Sequence, residues 1–69
     1  AGKKGLAYIE KIITQAPDYL QPGGYLLLEI GVGQAKATLR IIKATRAFRD
    51  IRILKDYGNI PRVLAAVKR

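Results

Sequence analysis

Pro22-Gly23-Gly24-Tyr25-Leu26-Leu27-Leu28-Glu29-Ile30-Gly31-Val32-Gly33 is the stretch that decides the fold class of this 69-residue chain. Pro-Gly-Gly is turn chemistry, and the six residues Tyr25 to Ile30 form a short, mostly apolar run closed by Gly31 and Gly33, which reads as a β-strand. Both alternating faces of the run are apolar. A strand of that kind is buried on both sides, the property of parallel sheets covered by helices above and below.

Helical periodicity flanks the strand on each side. From Gly5 to Leu20, the residues Leu6, Ile9, Ile12, Ile13, Ala16, Tyr19 and Leu20 recur at three- and four-residue spacings, the pattern of an amphipathic helix. Pro17 lacks an N–H donor and clashes with the carbonyl four residues back, so a kink or an early end is expected there. After the strand, Gln34 to Arg46 gives a second helix with Ala35, Thr38, Leu39, Ile41, Ile42 and Thr45 in one broad stripe. Lys36, Arg40 and Lys43, spaced by four and three, form a basic face on its other side. A solvated surface is the ordinary cause of such a face, and a phosphate-binding surface is the alternative. No glycine closes this helix; Arg46-Ala47-Phe48 stands there instead.

The remainder reads as two strands. Asp50 to Lys55 carries Ile51, Ile53 and Leu54 among charged residues, as a strand near a sheet edge does. Tyr57-Gly58-Asn59-Ile60-Pro61 is a turn, and Arg62 to Val67 alternates through Val63, Ala65 and Val67. The pair forms an antiparallel hairpin, with Asp56 and Arg62 placed to form an ion pair across it. The order is helix, strand, helix, strand, strand, an α/β arrangement within a single unit spanning residues 1–69. Right-handed crossover puts the second helix on one sheet face, and the first helix is expected on the other. The strand Tyr25 to Ile30 is left with an unpaired edge, an aggregation hazard that complete domains avoid. The chain therefore reads as part of a larger sheet, with self-association through the exposed strand as a consequence.

Composition removes several kinds of chemistry. There is no Cys and no His, which excludes zinc sites of the usual type, thiol nucleophiles and imidazole acid–base catalysis. No apolar run approaches the ~18 residues that a membrane-spanning helix needs. No stretch of secretory type follows Lys3 and Lys4, so a cytoplasmic location is expected. Thirteen Lys and Arg against five Asp and Glu give a formal net charge of +8. That charge favours encounter with acidic surfaces, nucleic acid included, without fixing a function. Tyr8, Tyr19, Tyr25 and Tyr57 are dispersed over different elements rather than interleaved with cations, which disfavours a stacking platform for nucleic acid.

Several of these segments together resemble the last third of the catalytic domain of the release factor glutamine methyltransferases, a class I S-adenosylmethionine-dependent family. The similarity runs through Gly5-Leu6, Ala16-Pro17, Leu20 and Pro22-Gly23-Gly24 and is strongest at Leu27-Leu28-Glu29-Ile30-Gly31 with Gln34. It continues through Phe48-Arg49-Asp50-Ile51 and ends with Lys55-Asp56-Tyr57-Gly58 and Arg62-Val63-Leu64, covering about the whole chain. Pro-Gly-Gly before an apolar strand marks only the class I fold, whereas the combination is narrower. Ala47 departs from the glycine usual before the Phe, which puts the shape of that helix end in question.

The resemblance implies a Rossmann-like sheet whose last strand inserts antiparallel, placing Arg62 to Val67 between Tyr25 to Ile30 and Ile51 to Leu54. It implies a parent enzyme that methylates the side-chain amide nitrogen of a glutamine in peptide chain release factors with S-adenosylmethionine, a reaction that depends on positioning more than on acid–base work. The family's glycine-rich cofactor turn, its ribose-binding acid and its Asn-Pro-Pro-Tyr motif have no counterpart in these residues. The segment is accordingly expected to bind no cofactor and to be inactive alone, with no catalytic, cofactor-binding or metal-ligating residue of its own. Gly31-Val32-Gly33 is too short a glycine pattern to specify a phosphate cradle. Ligands of open α/β sheets bind outside the carboxyl ends of the strands, which makes Glu29, Gly31 and Gln34 cleft-wall candidates. A backbone N–H or Arg62 would satisfy Glu29 in a purely structural role. Other class I methyltransferases acting on ribosomal RNA or small molecules, and a small basic module gripping nucleic acid through Lys36, Arg40 and Lys43, are the competing readings.

Overall fold

The computed structural model describes residues 2–69. Helix α1 spans Gly2–Gln15, and a 3₁₀ turn at Ala16–Asp18 carries Pro17 in its first positions. The α-helix thus ends where the proline forbids its continuation. The Tyr19 and Leu20 N–H groups both donate to the Ala16 carbonyl, at 2.9 and 3.1 Å. A 3₁₀ turn advances about 120° per residue against 100° in an α-helix. Tyr19 consequently leaves the apolar stripe and is exposed.

Strand β1 is Tyr25–Glu29, α2 is Ala35–Thr45, β2 is Phe48–Lys55 and β3 is Pro61–Lys68. The sheet order is β1-β3-β2 with both pairings antiparallel, so β1 and β2 run parallel with the last strand inserted between them. This is the arrangement that the resemblance implies. Gly23, at φ +88°, lies in the left-handed region at the turn into β1, where a side chain would be strained.

A bulge explains why β2 begins two residues earlier than its periodicity suggests. Arg49 pairs with Val67 and Arg52 with Ala65, so two residues of β2 oppose the single Ala66. Asp50 makes the bulge by adopting φ +51°, a conformation that a short polar side chain tolerates best after glycine. Phe48 points into the core. Uninterrupted alternation would have turned Asp50 and Arg52 inward behind it; the extra residue shifts the phase, and Ile51 and Ile53 pack on the core instead.

Both helices lie on the same sheet face, which corrects the expectation that the first would cover the opposite one. Ile9 and Ile13 of α1 share a single core with Ile42 of α2, Ile30, Phe48, Leu64 and Ala66. The crossover rule constrains only the strand–helix–strand unit, here β1-α2-β2; nothing in it fixes the side taken by a helix that precedes the first strand. Among the described residues, no helix covers the other face. Tyr25 and Leu27 are 73% and 67% exposed there, so β1 is buried on one side only within this chain, and not on both as its composition suggests. Its exposed side chains alternate with Leu26 and Leu28, which pack on the core.

Thr38 is fully buried, and its Oγ1 has no hydrogen-bond partner among the described residues. Valine has the same shape without the orphaned hydroxyl, so Thr38→Val is expected to stabilise the fold by about 1–2 kcal/mol. A rise in the urea midpoint at unchanged slope would register this gain.

Candidate functional site

The carboxyl end of β1 and the turn into α2 bring Gly31 and Gln34 together and leave Glu29 apart from them. Gln34 holds the N-cap position of α2, yet its side chain makes no capping bond. It folds back, and its Oε1 accepts the Gly31 N–H at 2.6 Å. Gln34 is only 8% exposed. The same side chain is pressed by α1: a Cβ on Gly5 would lie 2.7 Å from Nε2, and one on Gly31 would lie 2.9 Å from Oε1. Two glycines from distant parts of the sequence thus make room for one buried carboxamide. A glycine near the start of a helix, at a propensity cost of about 1 kcal/mol relative to alanine, was the sequence signal for this close approach at Gly5.

Glu29 is exposed at the end of β1, opposite Val63 in the register. The partner suggested for it, Arg62, is engaged elsewhere: its Nε donates to Asp56 Oδ2 at 2.8 Å, the ion pair expected across the hairpin. Asp56 Oδ1 also accepts the N–H groups of Gly58 and Ile60 at 2.8 and 3.1 Å, closing the β2–β3 turn. The Arg62 hydrogen bond, and after it that of the Ile60 N–H, hold the Asp56 carboxyl below its usual 3.8, with partial burial opposing them.

A depressed carboxyl pKa contributes stability that is complete above the unfolded-state value and is lost as pH falls through the lower folded-state value. Asp56→Asn is therefore expected to lower the melting temperature at neutral pH. The gap from the unmodified chain should close as pH falls below about 3.8, and melting curves across that range would check it.

Gly31-Val32-Gly33 offers a phosphate cradle one donor fewer than its glycines suggest. Such a cradle needs free N–H groups aimed at the ligand, and the Gly31 N–H is already spent on Gln34. Gly33, at φ +81°, answers to the turn itself. Lys36, Arg40 and Lys43 are all exposed on α2. No described helix is long and apolar enough to cross a membrane, and the described residues hold no cluster of three or more potential metal-ligating side chains.

No family model matches the chain. Among curated proteins, the release factor glutamine methyltransferase of Synechocystis sp. is 40% identical over 65 residues, which is 94% of this chain and 22% of that protein. The enzyme of the same name from Yersinia pestis is 44% identical over 63 residues, 91% of this chain and 22% of the relative. A crystal structure of a release factor-specific protein-(glutamine-N5) methyltransferase from Alicyclobacillus acidocaldarius superimposes with a TM-score of 0.75 at 30% identity. It covers 96% of this chain and 42% of that one.

Inserted last strand, paired helices and matched solved structure together define a C-terminal part of a methyltransferase domain. Over nearly its whole length the chain is similar to one part of the release factor glutamine methyltransferases. It spans about a fifth of the length of the curated relatives it matches.

Proposed function

We propose that these residues are the C-terminal segment of a cytoplasmic enzyme that moves a methyl group from S-adenosylmethionine to a glutamine side-chain amide of peptide chain release factors. In this reading the segment supplies one end of the sheet and a wall of the cleft, and it binds no cofactor and has no activity by itself. Glu29, at the carboxyl end of β1, lines that wall, while Gly31 and Gln34 hold its turn in shape. The described residues offer no fitted cofactor site, so no step of the methyl transfer is assigned to them.

The observation that carries the proposal is the free edge of β1. The Ile30 N–H donates to Arg62 and the Gly24 carbonyl accepts from Lys68, so even-numbered backbone groups face β3. In an antiparallel pair the odd-numbered ones then point away. Tyr25, Leu27 and Glu29 accordingly direct their N–H and C=O groups outward with no described partner. A further strand from the parent enzyme satisfies them; without it, the segment self-associates along that edge.

The test compares the 69-residue chain with a protein extended upstream, using calorimetry with S-adenosylmethionine and methylation of an intact release factor. Only the extended protein should bind and transfer. Saturable cofactor binding by the short chain, or an extended protein that leaves the release factor unmodified, would contradict the proposal.

A further inference from the structure

The C-terminal end of α2 carries a feature that methyl transfer does not use. Lys43, Arg46 and Arg69 surround a shallow depression whose other lining residues are Phe48 and Ile51. No acidic side chain lines it. Two of the five acidic residues are engaged elsewhere, Asp50 with Arg49 and Asp56 with Arg62. Among the described residues, none of the three basin cations forms a salt bridge.

Attraction to the negative end of the helix dipole accounts for Lys43 and Arg46 in part. It does not account for Arg69, which comes from the end of β3, or for the conformation of Arg46. Arg46 occupies the left-handed cap at φ +56°, a position where glycine would avoid a strain of about 1 kcal/mol or more. An arginine there is costly to the fold, and what it gains is a charge beside Lys43 and Arg69. The Arg69 guanidinium is already oriented, since its Nε donates to the Phe48 carbonyl at 3.1 Å. Its terminal nitrogens remain available to an anion.

From the basin, Lys43, Arg40 and Lys36 continue along the exposed face of α2, which contains no acidic residue. At 1.5 Å of rise per residue, successive cations from Lys36 to Arg46 are separated axially by about 4.5–6 Å, close to the spacing of phosphates along a nucleic-acid strand. Exposed aromatic side chains do not line this face, so base stacking is not part of it.

We infer that Lys43, Arg46 and Arg69 form a phosphodiester-binding basin, extended by Arg40 and Lys36, through which the protein contacts an RNA backbone without reading sequence. This surface is separate from the carboxyl end of β1 and does not depend on the methyltransferase reading. Arginine forks bind phosphate oxygens in pairs, which suits a concave three-cation site better than a scattered set of surface lysines.

Fluorescence anisotropy with a labelled single-stranded oligoribonucleotide tests this on the chain, with circular dichroism confirming the fold of each variant. Contact with about four phosphates gives a slope near −3 in log K against log salt concentration. Lys43→Gln, Arg46→Asn and Arg69→Gln combined should weaken binding at least about tenfold and flatten the slope by about two. Asparagine at position 46 preserves the left-handed cap. Lys11→Gln, Arg52→Gln and Lys55→Gln combined remove the same charge elsewhere and should change affinity less than about threefold. Equal losses from the two triple variants would reduce the effect to net charge and overturn the inference. So would equally tight binding of poly-glutamate, which would identify an acidic polypeptide as the partner.

Discussion

Replacing Leu64 with alanine should remove a large share of the chain's stability, about 2–5 kcal/mol. Leu64 is fully buried on the central strand, in one core with Ile13 and Ile42. Truncating such a leucine costs about 2–5 kcal/mol through lost transfer energy and the cavity left behind. At ~0.05–0.15 kcal/mol per residue, a domain of this size has a total stability of roughly 3–10 kcal/mol. No disulfide adds to that, because the sequence has no Cys. A melting temperature lower by about 10 °C or more, monitored by circular dichroism, is the expected result; a melting temperature within a few degrees of the unmodified chain would show that the core is not where the packing places it.

Gln34→Ala should cost about 2 kcal/mol, more than an ordinary polar substitution near a helix start. The carboxamide satisfies the Gly31 N–H and fills the space between Gly31 and Gly5. Removing it leaves a part-buried donor without its partner, at about 1–3 kcal/mol, and opens a gap between α1 and the turn. Chemical denaturation would measure the loss. If the Gly31 N–H is the main term, a variant that keeps the volume but not the acceptor, Gln34→Met, should recover less than half of it. Full recovery by methionine would make the position a matter of packing alone.

Most of the architecture was legible in the sequence because its punctuation is strong. Pro17 ends α1, Pro22-Gly23-Gly24 turns the chain into β1, and Asp56 with Gly58 closes the hairpin, each through a local bond that side-chain chemistry dictates. The insertion of β3 between β1 and β2 was legible only through the family resemblance, since periodicity alone joins β2 and β3 without saying what lies on the other side of β3.

Three features were not legible, each for a physical reason. The bulge at Asp50 hid the start of β2 because it breaks the alternation by which strands are recognised. The side taken by α1 depends on long-range packing of Ile9 and Ile13 against Ile42, which no local rule encodes. The apolar composition of β1 suggested burial on both faces, but one face is bare within these residues. In the proposed reading, that mismatch between composition and environment marks a surface shaped for neighbours that the segment does not itself provide.

Of the cleft-wall candidates Glu29, Gly31 and Gln34, the last two meet each other, with the Gln34 side chain turned inward onto its own turn. Helical periodicity could expose Lys36, Arg40 and Lys43 as a basic face. It could not join Lys43 to Arg69, which reaches the basin only through the pairing of β3 with β2.

Hydrogen exchange at the β1 amides tests the central claim most directly. In dilute solutions of the 69-residue chain, the Leu27 amide should exchange rapidly while those of Leu26 and Leu28, bonded to β3, stay protected; in a protein extended upstream, Leu27 should become as slow as its neighbours. A Leu27 amide that is equally protected in the isolated monomer, or equally fast in the longer protein, would contradict the account.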